Sequence, residues 1–494
     1  MIEMKQKSKK KIRILSKIIC FAALIVLVMF LYYLKKLNIL PSKYFYLIFG
    51  ILSFLELIFI LFSINKRIKP VILIILDIFA ILFMLVEGYG AYKLYQIYGF
   101  LDRDIKVVET KEIYYLMVNS ESNYKDLKSI ENKFVYYFND VEDFDKLKQS
   151  VSKKVNIILT ETDDYGNLIT SILEDKERII LVSEGNYNSY LENQESEENV
   201  DIDEVKNKFN ILAEIELTNK IEQSNSDEDL MSKPFILYIS GIDTRSNKMP
   251  TKSLSDVNIF VVVNPQTRDI LLVNTPRDYY VQVHGTKGLK DKLTHAGGIG
   301  GVKLSKATLE DLLGYKANNY IRVNFNSVVK LVDAIGGITI NNEFNYSYTP
   351  RHGQGCVIRP GKNKLDGICT LGFVRERYSY KGGDRQRGKN QQQVIAKIIE
   401  KISSSKTLIM NYDKLLKALS GSFETDLSTK NITSAVQFQL NDMRGWNITT
   451  ANLDGSTGME PTYTCPKCKR SVMYQNPKSI KAAQEKIKEI LEKK

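Results

Sequence analysis

The sequence is poor in cysteine, with five in 494 residues. That is too few for a fold stapled by disulfides, and Cys20 lies inside an apolar run, so the architecture does not depend on a cysteine framework. From about Lys106 to Tyr190 there is no Gly-rich phosphate loop, no histidine cluster and no metal-spaced carboxylate motif, which excludes the common nucleotide and metal sites from that region. No small-residue cleavage site follows the first apolar run. Two further runs come directly after it, so the segment reads as an anchor and not as a cleaved leader.

Those runs, about Ile18–Leu34, Tyr44–Ile64 and Val71–Val86, have roughly the 17–25 residues needed to cross a hydrocarbon core. Lys5, Lys7, Lys9, Lys10, Lys11, Arg13 and Lys17 precede the first, which places the N-terminus in the cytoplasm by the positive-inside rule. Three crossings then carry everything after residue 100 outside. Lys35, Lys36 and Lys43 on the outer loop oppose this reading, but the basic N-terminal tail outweighs them. Glu56 and Asp77 within the spans read as charges facing a neighbouring helix.

The net charge of +12 is unevenly placed. Residues 1–98 carry 14 Lys and Arg against 4 Asp and Glu, residues 99–233 carry 16 against 31, and residues 234–494 carry 39 against 22. The first excess belongs to the membrane anchor. The last sits in a globular region and points to an anionic ligand.

Four parts follow: a basic tail with three transmembrane helices over 1–98, a small α/β accessory domain over 99–190, an acidic linker over 191–233, and an α/β domain with a central mixed sheet and a C-terminal extension over 234–494. In the accessory part, β-rich runs alternate with helical patterns at Val141–Lys154 and Asp164–Lys176, as in βαβ units. The linker is expected to hold a spacer helix near Val205–Leu217.

The chemistry concentrates after Phe235. Apolar strands end at Gly241-Ile-Asp243-Thr-Arg245, start after Ser255-Asp256, and end again at Pro276-Arg277-Asp278. If these strands are neighbours, Asp243, Asp256, Arg277 and Asp278 share one rim. Two hard carboxylates in a positive site suit Mg²⁺ held together with substrate phosphate; the plainer alternative is an Asp–Arg ion pair. Arg375 and Arg377, read as alternating on a strand, would face one way and bind phosphate oxygens. Asp384, Arg387 and Gln391 fall on one face of a helix beginning near Gly383. Cys465-Pro-Lys-Cys468 fits a zinc knuckle, a redox pair or a disulfide, and Cys356 and Cys369 lie in the same region. The terminal helix, about Ser479–Leu491, carries a packing stripe of Ile480, Ala483, Ile487 and Ile490.

These segments, with GIDTR, LSD, VNTPRD, KLTHA, VDAIGGI, RPG, LDG, FVRER and GDRQR in order over about Phe235–Ser403, resemble the LytR-CpsA-Psr family. The three-span anchor and accessory domain further resemble its capsule-assembly members. The resemblance implies an α/β/α-like domain that binds a polyprenyl (pyro)phosphate-linked glycan in an apolar tunnel and transfers it to peptidoglycan with Mg²⁺. Asp243 and Asp256 match the family's metal carboxylates. Arg277, Arg375, Arg377, Arg387 and Gln391 match its phosphate ligands, with Lys292 assisting and Asp384 orienting the arginines; Asp278 or Asp256 would act as base. Leu254 and Asn390 stand where many members carry Arg. The bilayer and capsule-assembly proteins are the other implied partners. A carrier-binding scaffold and a pyrophosphatase are the competing functions. Nucleic acid is excluded as a partner, because the basic domain lies outside the membrane.

Overall fold

The computed structural model describes residues 2–103, 109–138, 144–162, 165–195, 201–220, 229–242, 249–403 and 423–494. Three helices open the chain: α1 (Ile2–Leu37), α2 (Ser42–Ile64) and α3 (Pro70–Arg103). All three are long and apolar enough to cross a membrane, over Lys9–Leu37, Ser42–Ile64 and Pro70–Gly99. Their polar residues turn inward: Glu56 and Asp77 are buried in the bundle, and Ser16 donates to Asp77 Oδ1 at 2.7 Å. Arg13 donates to the carbonyls of Asn65 and Ile68, so the start of α1 meets the α2–α3 loop.

The accessory unit holds β1 (Glu109–Asn119), β2 (Phe134–Tyr137), α4 (Phe144–Ser152), β3 (Ile158–Glu161), α5 (Leu168–Glu174), β4 (Ile180–Ser183), α6 (Glu184–Glu195), α7 (Ile202–Lys206) and β5 (Phe209–Lys220). Its sheet runs β3-β2-β4-β1-β5, with β2 parallel to β3 and β4 and β1 antiparallel to β4 and β5. The spacer helix expected near Val205–Leu217 is not formed. Helix α7 stops at Lys206, and Phe209–Lys220 is a strand laid along β1. The reason is the alternation Ala213, Ile215, Leu217, whose last two members are buried with Tyr114 and Leu116 of β1. A period of two suits a half-buried strand and not a helix. The acidic stretch thus supplies an edge of the accessory sheet as well as a connection.

The large unit contains β6 (Phe235–Ile242), β7 (Ser255–Asn264), β8 (Asp269–Asn274), β9 (Tyr280–Gln282), β10 (Lys290–Lys292), α8 (Leu293–Leu313), β11 (Asn319–Asn324), α9 (Phe325–Ala334), β12 (Ile338–Asn342), β13 (Gly361–Leu365), α10 (Gly367–Arg375) and α11 (Asp384–Ile402). It continues through β14 (Phe423–Thr425), α12 (Thr429–Asp442), β15 (Asn447–Asn452), β16 (Gly455–Thr462), β17 (Cys465–Gln475) and α13 (Pro477–Glu492). A six-stranded mixed sheet, ordered β14-β11-β6-β7-β8-β15, forms its centre. One face is closed by α8 and α13 over a core of Tyr238, Phe260, Val262, Leu293, Leu309 and Ile487. The stripe Ile480, Ala483, Ile487 and Ile490 of α13 packs there as its spacing predicts.

Among the contacts that join the units are an ion pair and a close approach of two glycines. Glu112 of β1 and Lys252 form an ion pair at 2.9 Å with both side chains buried. Helices α6 and α8 come so close that a Cβ on Gly185 would sit 2.2 Å from the Gly298 carbonyl oxygen, which only glycine permits.

Candidate functional site

Strands β6, β7 and β8 are neighbours in the sheet, which brings their loops to one edge. Asp256, the second residue of β7, and Arg277, three residues past β8, meet there: Arg277 Nη1 donates to Asp256 Oδ1 at 3.1 Å. Asp278 lies 3.8 Å from Arg277 Nε on one side and 3.8 Å from Lys292 Nζ on the other. Lys292 is almost wholly buried at the start of α8, and Thr294 Oγ1 reaches Asp256 Oδ1 at 3.4 Å. The segment leading into β7 is held by Arg322 of β11, whose guanidinium is buried against Glu424 at 3.1 Å and donates to the carbonyls of Pro250 and Thr251.

Arg375 and Arg377 do not alternate on a strand. Asp366 caps α10 by accepting from Cys369 N at 2.8 Å, and the helix runs to Arg375 before the chain extends at Glu376. The arginines still reach the same cavity. Arg375 stacks over the Phe325 ring at 4.2 Å, while Arg377 donates to Tyr378 Oη at 2.8 Å, a contact that lowers the phenol's pKa. Glu376, buried between them, accepts the backbone N–H groups of Arg351 (2.7 Å), Tyr378 (2.7 Å) and Ser379 (2.9 Å). Burial opposes its ionisation, but these donors outweigh burial and hold its pKa below the usual carboxylate value. Glu376 is therefore the residue that fixes the course of the Arg375–Tyr378 segment. Sequence reasoning passed over it; the signal was a single carboxylate inside an Arg-x-Arg.

Helix α11 brings Asp384, Arg387 and Gln391 to one face, as their spacing predicts. Arg387 Nη2 lies 2.5 Å from Asp384 Oδ1. Burial raises the Asp384 pKa; Arg387 and Arg277 pull it down, while Asp278 and Asp256 push it up. Asn390, in place of the Arg that the resemblance suggests, is buried and donates to Phe373 O and Tyr380 Oη, so it braces α10 against α11.

Beside these charges lies a cavity of about 1430 Å³ lined by residues of the sheet face opposite α8 and α13 and of α9, α10 and α11. That exceeds the roughly 300–1,000 Å³ of ordinary small-molecule pockets and suits a long ligand. The cavity is lined by apolar residues, Leu237, Ile239, Val261, Val323, Leu331, Ile395, Ile399 and Leu427 among others, and by Arg277, Lys292, Arg351, Arg375, Arg377 and Arg387 with Asp256 and Asp278. Leu254, the other departure from the family pattern, lines the cavity as an apolar residue. Ile432 lines the cavity and also packs beside Leu37, Leu94, Ile97 and Tyr98 at the ends of α1 and α3. A second cavity of about 370 Å³ adjoins the first; Asp256, Arg277, Arg387 and Gln391 line both.

Of the expected metal carboxylates, Asp256 stands at the cavity and Asp243 lies outside the described residues, with the rest of the segment through Lys248. Asp256, Asp278 and Asp384 offer hard oxygen donors in a basic surround, which is the donor chemistry Mg²⁺ takes. Elsewhere among the described residues, Cys356, Asp366 and Cys369 come together, but the two sulfurs are joined in a disulfide. Cys465 and Cys468 form a second disulfide, which decides against zinc at that pair.

The chain matches the model of the LytR_cpsA_psr family over residues 184–489, more than half its length. It is 32% identical over 234 residues to biofilm regulatory protein A of Streptococcus mutans, covering 45% of this chain and 57% of that protein. It is 36% identical over 196 residues to the polyisoprenyl-teichoic acid–peptidoglycan teichoic acid transferase TagU of Enterococcus faecalis, covering 40% and 62%. The matches thus span less than two thirds of either relative. Among solved structures, protein gbs0355 of Streptococcus agalactiae aligns at 30% identity and a TM-score of 0.47, covering 55% of this chain and 92% of that one.

Proposed function

This chain belongs to the LytR-CpsA-Psr family, and from that premise we propose that it is a membrane-anchored phosphotransferase moving a polyprenyl-pyrophosphate-linked glycan onto peptidoglycan through a phosphodiester. The glycan is a capsular polysaccharide or a teichoic-acid-like polymer. The observation that carries the reading is one large cavity lined both by many apolar side chains and by the guanidinium groups of Arg277, Arg351, Arg375, Arg377 and Arg387. An isoprenoid tail has no polar groups to satisfy and gains from burial in such a tunnel, while two linked phosphates call for several cations at its mouth. The relative named TagU, a polyisoprenyl-teichoic acid–peptidoglycan teichoic acid transferase, supports the same substrate class.

The placement of Ile432 between the cavity and the ends of α1 and α3 supports entry of the lipid from the bilayer. The N-terminus is cytoplasmic and both globular units lie outside the cell membrane. In keeping with this, the start of α2 touches the large unit, with Lys43 donating to Asn441 O at 2.8 Å, whereas the start of α1 meets the α2–α3 loop.

Phosphoryl transfer leaves little covalent chemistry to the protein, so catalysis comes from positioning and charge stabilisation. Arg277, Arg375, Arg377 and Arg387, with Lys292 and Gln391, hold the phosphate oxygens, and Asp384 orients Arg387. Asp256, together with Asp243, would hold Mg²⁺, which when bound supplies neutralisation of pyrophosphate charge. A sugar hydroxyl of peptidoglycan attacks the sugar-side phosphorus, and Asp256 or Asp278 accepts its proton.

Release of polyprenyl phosphate from a lipid-linked glycan, with Mg²⁺ and peptidoglycan present, tests the reading. Wild type is expected to turn over only with acceptor, and Asp256→Ala and Arg377→Ala to lose about 10²-fold or more. Tight lipid binding without turnover would make the protein a scaffold, and turnover without acceptor would make it a pyrophosphatase.

A further inference from the structure

The second cavity lies between the start of α11 and the ends of the parallel strands β8 and β15, whose last residues, Asn274 and Asn452, both line it. Open sheets place ligands at the carboxyl ends of their strands, and about 370 Å³ falls within the range of a small-ligand pocket. Most of its lining residues carry polar side chains: Asn274 Nδ2 faces Asn452 Oδ1 at 3.4 Å, and Asp384, Lys389 and Asp454 stand in the wall beside Pro276 and Leu453. Carboxamides, carboxylates and an ammonium are the groups that bind sugar hydroxyls by hydrogen bonds. Because Asp256, Arg277, Arg387 and Gln391 line both cavities, they form the partition between the apolar tunnel and this polar chamber.

We infer that this chamber is the acceptor subsite, taking a sugar unit of the glycan strand whose hydroxyl attacks the donor. The inference rests on the transferase reading and deepens it. In-line displacement puts the entering and leaving oxygens on opposite sides of the phosphorus. With the phosphates held at the partition, the departing polyprenyl phosphate lies on the tunnel side, so the attacking hydroxyl comes from the chamber side. The acceptor oxygen bonds to the sugar-side phosphorus, and the bond from that phosphorus to the bridging oxygen breaks. Polyprenyl phosphate departs with the electron pair, and the hydroxyl proton passes to a carboxylate. Asp256 and Asp384 line the chamber, whereas Asp278 lines the tunnel and not the chamber, which puts Asp278 on the leaving-group side.

Asn452 is exposed at the strand end, so Asn452→Phe fills the chamber without entering the core. In the full-length protein, acceptor dependence of polyprenyl phosphate release is measured alongside the affinity for the donor lipid. Saturation-transfer NMR follows binding of a soluble N-acetylglucosamine–N-acetylmuramic acid disaccharide. Asn452→Phe is expected to raise the half-saturating acceptor concentration at least tenfold, to abolish disaccharide binding and to leave donor affinity within twofold; Asn452→Ala should shift acceptor dependence the same way by less. Acceptor dependence and disaccharide binding both unchanged in Asn452→Phe, or a loss of donor affinity in parallel, overturns the subsite while leaving the transferase standing. A wild type without acceptor-dependent transfer removes the transferase reading and the subsite together.

Discussion

The two sheets of this protein are made from the same kinds of residue and do different things. In the accessory sheet the alternation along β1 sends Tyr114, Leu116 and Val118 into one core and Met117 into another, and α4, α5 and α6 help fill both sides. In the large sheet, Ile236, Tyr238, Phe260 and Val262 are packed under α8 and α13, whereas on the other face Ile259, Val263, Ile270 and Leu272 are buried in a core with residues of α11 and α12, and Leu237, Ile239, Val257 and Val261 also line a cavity. Helices α11 and α12 fill part of that face, and the rest of it is left as cavity wall. Apolar alternation therefore specifies a sheet with two apolar faces, and the distance at which the covering helices stand decides where a face becomes core and where it becomes cavity wall.

The largest effect is expected where the two units meet. Glu112→Gln leaves the Lys252 ammonium buried without its counter-charge and should lower stability by about 3–5 kcal/mol in chemical denaturation, as breaking buried pairs does. Retention of wild-type stability would mean that the accessory unit is not anchored through this pair.

Next comes the carboxylate that braces the arginine segment. Removal of its three backbone contacts in Glu376→Ala should cost about 3 kcal/mol and weaken donor binding, because Arg375 and Arg377 lose their common brace. The folded-state pKa of Glu376 is lowered, so its contribution is present above the unfolded carboxylate value and disappears as pH falls through the folded one. Wild type should lose stability on acidification below about pH 4.3 more steeply than Glu376→Gln; parallel acid curves would contradict the assignment.

The smallest effect is the most direct comparison of the two sheets. Val135→Phe, in the filled accessory core, should destabilise by about 1–3 kcal/mol through overpacking and leave lipid affinity unchanged. Ile239→Phe, in the tunnel wall, should change stability by less than about 1 kcal/mol and reduce polyprenyl phosphate affinity about tenfold, roughly 1.4 kcal/mol. Equal stability losses in the two variants would mean that the tunnel is closed packing in solution.

Much of this was legible in advance because it is local. Spans of apolar residues in α1, α2 and α3 announce themselves by length, and the Asp384, Arg387 and Gln391 face follows from helical spacing. The failures arose where a local pattern had two readings. Arg-Glu-Arg at 375–377 alternates like a strand, yet the Asp366 cap upstream carries a helix into it. The segment after Asp201 begins as a helix, but β1 offers it a partner whose pairing suits Ala213, Ile215 and Leu217 as a strand.

The sequence by itself pointed to three membrane-length apolar helices, to the family and to Asp256, Arg277, Asp278, Lys292, Arg375, Arg377, Asp384 and Arg387, which the structure brings to the two cavities, since these depend on neighbours in the chain or on the identity of side chains. Only the tertiary structure decided that part of one face of the large sheet borders a cavity, that Glu376 sits as a brace between two arginines, and that Asp256, Arg277, Arg387 and Gln391 line two cavities at once. Empty volume and the sides of a partition are properties of how distant elements stand relative to one another, and no stretch of sequence carries them.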